Sequence, residues 1–203
     1  EMAGGSLDNL RAWWLRRMIE TPHPLLEKMT LFWHGHFAVN AGGLSNPRLM
    51  QAHLDLLRSH ALGSFEALLQ GIARDPATLL WLGADRNRKA SPNEGFVRPL
   101  LETFTLGPGQ CTDSDVRAAA RAFTGWSVLR EQLRYFPLEH EEAVQRFLGR
   151  EGRFAGEDIV RIVAEHPATA RTIVRKLYRW LISETQDPDD ALLAPLVSSF
   201  AGD

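Results

Sequence analysis

Apolar residues recur along this chain at helical spacing, and polar caps and prolines mark where each run begins. Ser6 can cap a first helix through about Glu20, with Leu7, Leu10, Trp14 and Met18 near a 3.6-residue period. After "TPHP", Pro24 suits a second helix start. That helix runs through about Phe37, with Leu25, Leu26, Met29, Phe32, Trp33 and Phe37 apolar. Asn46 and Pro47 open a third helix carrying Leu49, Leu54, Leu56 and Leu57. Ser64 begins a fourth, through Ile72. Asp75 and Pro76 begin a fifth in "DPATLLWLG", and a polar loop, "ADRNRKASPNEG", follows.

Pro99 cannot sit comfortably inside a helix, so a fresh start is expected there, with that helix ending near "TLGPG". Thr112 caps "DSDVRAAARAFTGW", where Asp113 and Asp115 suit the positive helix end. A short hairpin fits near 127–137. Gly156 or Asp158 opens "IVRIVAEH". Pro167 opens "PATARTIVRKLYRWLIS", with Ala170, Ile173, Val174, Leu177 and Leu181 on one face, and "DPDDALLAPLVSSF" begins a last helix. The expected fold is all-α: one single-core, multi-helix domain over 1–203. The chain opens at Glu1 without an initiator Met and ends in "SSFAGD", so it is expected to be a piece of a longer one.

Composition narrows the function classes. Apolar residues make up 44% of 203 residues, enough for a core without staples. The formal charge of −2 argues against a general polyanion binder, so no nucleic-acid partner is expected. No apolar run approaches the ~18 residues of a membrane span. Cys111 is the single cysteine, which excludes an intramolecular disulfide and a cysteine-built zinc site. Its loop, "GPGQCTDSD", holds no basic group that would activate a thiol.

Four stretches carry candidate chemistry. In "TLFWHGHFAVN", His34 and His36 stand two positions apart. On a helix such positions diverge by roughly 200°, so a regular helix cannot aim both rings at one metal. They are ligands only if the helix loosens near Gly35, and otherwise one His bonds inside the core while the other makes a separate contact. His36 is the one expected to be buried. Glu102 lies between Leu101 and Phe104, and a carboxylate in such a place needs an arginine or a metal as partner. Asp85, Asn87, Asn93 and Glu94 gather in the preceding loop, where capping explains most of them. His140, among Glu139, Glu141 and Glu142, fits either a divalent cation or an exposed acidic turn. Arg171, Arg175 and Arg179 form an i, i+4 ladder that suits pairing with acidic neighbours better than phosphates.

Taken in order, "PLLEKMTLFWHGHF", "DPATLLWL", "NRKASPNEGFVRPLLETFTLG", "DVRAAARAFTGW", "HEEAVQRFLGREGRFAGEDIV" and "HPATARTIVRKLYRWLIS" resemble the bacterial domain-of-unknown-function family 1800, over roughly residues 22–183. The resemblance implies no activity. It implies a bacterial, exported setting, and a sulfatase-like protein of domain-of-unknown-function family 1501 as partner. The family's HNHF is met by His34 and His36, with Gly35 in place of Asn. Its PNENFARELMELFTLG is met by Pro92, Asn93, Glu94 and Glu102, with Gly95 and Pro99 departing from it. Its His-Asp is met by His140 and Glu141, and its TGW by Thr124, Gly125 and Trp126.

On this basis His34, His36, Glu102 and His140 are expected as ligands of one divalent metal, zinc, manganese or iron, in one polar pocket. Glu94, Glu102 and His140 are then the catalytic candidates of a hydrolase, weakened in this copy by Gly95 and Pro99. The alternative is a non-enzymatic helical module that docks an exported partner, with the His and Glu residues forming a buried polar network.

Overall fold

The computed structural model describes residues 5–40 and 42–202. The chain is mostly helical, with 59% of it in helices, and the described residues carry two small two-stranded antiparallel sheets. It divides into two compact units, residues Glu1–Arg86 with Ser127–Tyr135, and Asn87–Trp126 with Phe136–Asp203.

The first unit contains α1 (Leu7–Glu20), α2 (Pro24–Phe37), α3 (Pro47–His60), α4 (Phe65–Arg74) and α5 (Pro76–Trp81). Their starts obey the capping chemistry of the sequence. The Ser6 hydroxyl accepts from the Asn9 N–H, and the Asn46 side chain accepts from the N–H groups of Arg48 and Leu49. Proline occupies the start of α2, α3 and α5, where a missing N–H costs nothing. Helix α2 stops at Ala38, whose left-handed φ of 47° returns its N–H to the His34 carbonyl and turns the chain away. Leu10, Val39, Leu44, Leu49, Met50, Leu54 and Ala77 form one apolar cluster.

The same unit holds a buried carboxylate. Glu27 on α2 accepts from Arg17 Nε of α1 at 3.0 Å and from Arg58 Nε of α3 at 2.7 Å, tying three helices together. Burial pushes the Glu27 carboxyl up, but the two guanidinium groups outweigh it and hold it below its ordinary range. The hairpin expected near 127–137 is present as β1 (Trp126–Leu129) and β2 (Gln132–Tyr135). Its turn uses Arg130 and Glu131, both at positive φ, the backbone of a tight primed turn without the usual Asn-Gly. The Val128 N–H donates to the Asp85 carbonyl at 2.8 Å, which seats the hairpin on the end of the residue 5–86 stretch.

The second unit contains α6 (Val97–Pro99), α7 (Asp113–Ala122), β3 (Gln145–Phe147), β4 (Arg150–Gly152), α8 (Gly156–Ala164), α9 (Pro167–Leu181) and α10 (Asp190–Gly202). Contrary to the expected fresh start at Pro99, the helix begins two residues earlier. Pro99 then falls within the first turn, where its lack of an N–H is tolerated. From Leu100 to Thr105 the turn widens to a π-helix, with the Leu106 N–H reaching the Leu101 carbonyl at 2.9 Å. The Thr105 hydroxyl donates to the Leu100 carbonyl at 2.6 Å, a side-chain bond within the widened turn.

The β3–β4 hairpin, registered Gln145↔Gly152 and Phe147↔Arg150, was not foreseen in the sequence. It turns at Leu148 and Gly149, both at positive φ. Trp126 is 6% exposed and stands edge-on to Phe123, with ring centroids 5.1 Å apart. Gly156 opens α8 against this pair, and a Cβ there would lie 2.5 Å from the Phe123 ring. Of the arginine ladder of α9, Arg175 meets acids, donating to Asp187 at 2.7 Å and to Asp190 at 3.4 Å, while Arg179 donates to the Glu184 backbone carbonyl at 3.4 Å.

Candidate functional site

The two histidines of α2 diverge as helical geometry requires. His36 is 8% exposed, and its ring lies among those of Phe32, Trp33 and Phe37, 4.7–6.0 Å between centroids. His34 faces the other way. Its ring meets the Trp14 ring of α1 edge-on at 5.2 Å and the His53 ring of α3 at 6.1 Å.

His53 is fully buried, with its Nδ1 2.7 Å from Asp75 Oδ2. Asp75, the cap of α5, also accepts from the Thr78 hydroxyl at 2.7 Å, the Thr78 N–H at 3.0 Å and the Ala77 N–H at 3.3 Å. With the carboxylate accepting throughout, His53 carries a proton on Nδ1, and Nε2 is its other ring nitrogen. That Nε2 is buried without a hydrogen-bond partner, and so is Nδ1 of His34. A buried polar atom left unpaired costs about 1–3 kcal/mol, so two on neighbouring rings require an explanation beyond packing. Burial first, and then the nearby His53, push the His34 imidazole down to about 4, so it is neutral near pH 7.

A cavity of about 360 Å³ opens on His34, walled by Leu10 and Trp14 of α1, Val39 after α2, and Met50 and Leu54 of α3. Gly35 also lines it, and a Cβ at that position would meet nothing within 4 Å. The arrangement offers an apolar recess, a neutral imidazole in its wall, and behind that imidazole a second one oriented by a carboxylate. Groups of these types can form hydrogen bonds and exchange protons.

The other expected site residues have different surroundings. Glu102 pairs with Arg98, the arginine alternative, at 3.1 Å, and the same guanidinium lies 3.0 Å from Asp113 and 3.5 Å from Glu94. Glu94 and Glu102 thus belong to one solvent-facing ion cluster. The His140 Nδ1–H donates to the Thr124 carbonyl at 2.9 Å, and the Glu141 N–H donates to the Thr124 hydroxyl at 2.8 Å. These bonds lock the chain at the Thr124–Trp126 corner. Asn87, 4% exposed, latches the polar loop by donating to the Ala120 carbonyl and accepting from the Asn93 N–H.

His34 and His36 belong to the first unit, and Glu102 and His140 to the second. Among the described residues no group of three or more His, Cys, Asp or Glu could hold a metal ion.

The candidate site contains two residues that the sequence pattern did not single out. His53 sits on the stripe Leu49, Met50, Leu54, Leu57, and a polar residue on a core face is a signal that could have been used. Asp75 was legible only as a cap. Among the described residues no helix is long and apolar enough to cross a membrane.

A family model described as "Protein of unknown function (DUF1800)" matches residues 2–203. No curated protein and no solved structure matches the chain.

Proposed function

The chain belongs to the DUF1800 family of proteins of unknown function, and on that premise we propose that the cavity among α1, α2 and α3 is its functional site. It binds a small molecule against His34, with His53 and Asp75 behind as a proton-accepting support. The observation that carries this reading is the fully buried His53, held by Asp75 at Nδ1 and unsatisfied at Nε2, beside a cavity-lining His34 that is likewise unsatisfied. A carboxylate–imidazole pair of this kind fixes which ring nitrogen carries a proton and how the ring is oriented. A protein that used these residues only for packing would gain by replacing them with apolar side chains.

Nitrogen-detected NMR of the histidine side chains, with and without a library of small organic fragments, tests the reading. His53 is expected as the Nδ1–H tautomer, and fragments are expected to shift His34, Trp14 and Met50 together. A library that leaves these three residues unmoved overturns it. The divalent-metal expectation has its own check: protein purified without chelators is expected to carry well below one equivalent of zinc, manganese or iron. A stoichiometric metal would restore that reading.

A further inference from the structure

We infer that the first half of α1 is a movable wall of this cavity, latched where Trp14 meets His34 and hinged where Arg17 meets Glu27. The inference concerns how the cavity opens, and it goes beyond the small-molecule reading without depending on it.

The first observation is how lightly α1 is held. Of its 14 residues only Leu10 is buried, whereas α4, with 10 residues, buries Phe65, Leu68, Leu69, Ile72 and Ala73. An element with few buried apolar side chains opens locally at lower cost than the core beside it. The second is where α1 is held. Leu7, Leu10, Arg11 and Trp14 line the cavity, so this half of the helix is one of its walls. Beyond it, Arg17 Nε donates at 3.0 Å to Glu27, the buried carboxylate that Arg58 of α3 also holds. The wall thus comes before the tether along one helix.

The third is what the wall covers. Trp14 stands edge-on to the His34 ring at 5.2 Å, and the His53 ring lies 6.1 Å from it. Nδ1 of His34 and Nε2 of His53 are buried without a partner. An imidazolium carries an N–H at both nitrogens, so on either ring a second proton would leave a buried N–H with no acceptor. The charged groups nearby do not relieve this. Asp75 takes the other nitrogen of His53, Glu27 is taken by two arginines, and Arg11 is a cation paired with Asp8 at 2.9 Å. Lifting the wall takes Trp14 off His34 and admits water to the ring. His34, held down to about 4 under the wall, then returns towards its ordinary 6.5, so opening is favoured as the pH falls below that value. The tether outlasts the latch, because the arginines hold the Glu27 carboxyl below its ordinary range.

The test is amide hydrogen exchange of the whole chain at pH 7 and pH 5, read as protection factors so that the intrinsic pH dependence of exchange cancels. Between these pH values the Arg11–Trp14 amides are expected to lose protection roughly 20-fold, the linkage of one proton whose pKa moves from 4 to 6.5. At both they are expected to be roughly 10-fold or more below Leu69 and Ile72 of α4. His34→Gln or His34→Phe, neither of which takes a proton, is expected to remove the pH dependence. Arg17→Met, which cuts the tether, is expected to extend the loss to Met18–Glu20. A loss of less than about threefold in the parent protein, or the full loss in a folded His34 variant, overturns the latch. Equal protection in α1 and α4 means that only the whole unit opens, and overturns the movable wall. Unchanged protection of Met18–Glu20 in Arg17→Met overturns the hinge. A fragment library that leaves His34 unmoved removes the ligand site and leaves these outcomes as they stand.

Discussion

At the scale of single residues, the protein's acid sensitivity should trace to His34. Its imidazole is pushed down to about 4 in the folded chain, against an ordinary value near 6.5. Between those two values the unfolded chain binds a proton that the folded chain refuses. Stability is therefore full above about pH 6.5 and declines as the pH falls towards 4, by at most ~1.4 kcal/mol per pH unit for one proton. Urea unfolding from pH 7 to 4.5 should show this decline, and His34→Gln should flatten it. Glu27 acts with the opposite lever. Its carboxyl is held low in the folded state, so its contribution is lost only at more acidic pH, as it becomes protonated. Glu27→Ala should cost towards the low end of the ~3–5 kcal/mol seen for broken buried pairs, because Arg17 and Arg58 retain some access to water. Both residues show what single positions disclose in advance. The sequence singled out His34 by its company and its motif, yet which ring would be left unsatisfied depended on His53 and Asp75, 19 and 41 positions further along. Nothing local encodes that meeting.

At the scale of elements, the caps and periods were the legible part. Ser6, Asn46, Asp75 and Thr112 all cap the helices assigned to them, because a cap is a local bargain between one side chain and the next turn. The π-turn at 100–105 and the β3–β4 hairpin were not legible, because each depends on packing between distant segments more than on local propensity. Two glycines separate local preference from tertiary demand. Gly35 lies in α2 with open space where a Cβ would go, so Gly35→Ala should stabilise the chain by ~0.5–1 kcal/mol through helix propensity alone. Gly156 opens α8 against Phe123 and Trp126, so Gly156→Ala should destabilise by ~1–3 kcal/mol through overpacking. Trp126→Ala, which empties the same contact, should cost ~3–5 kcal/mol. Thermal unfolding of the three variants beside the parent protein checks the signs.

At the scale of the whole molecule, the chain does not finish one unit before starting the next. It leaves the first unit after Arg86, returns for Ser127–Tyr135 and leaves again. The expectation of one domain over 1–203 predicts a single unfolding transition, with helical circular dichroism and tryptophan fluorescence changing together. Two separated transitions, or two protease-resistant halves, would count against it. The returning hairpin also sets a timetable for biosynthesis. Residues 5–86 leave the ribosome while the segment that seats on Asp85 has not yet been made, since 40 residues separate Arg86 from Ser127. At ~5–20 residues per second that interval lasts roughly 2–8 s. Throughout it the Asp85 carbonyl waits for Val128, and a nascent chain stalled before codon 127 carries the helices of the cavity without their hairpin.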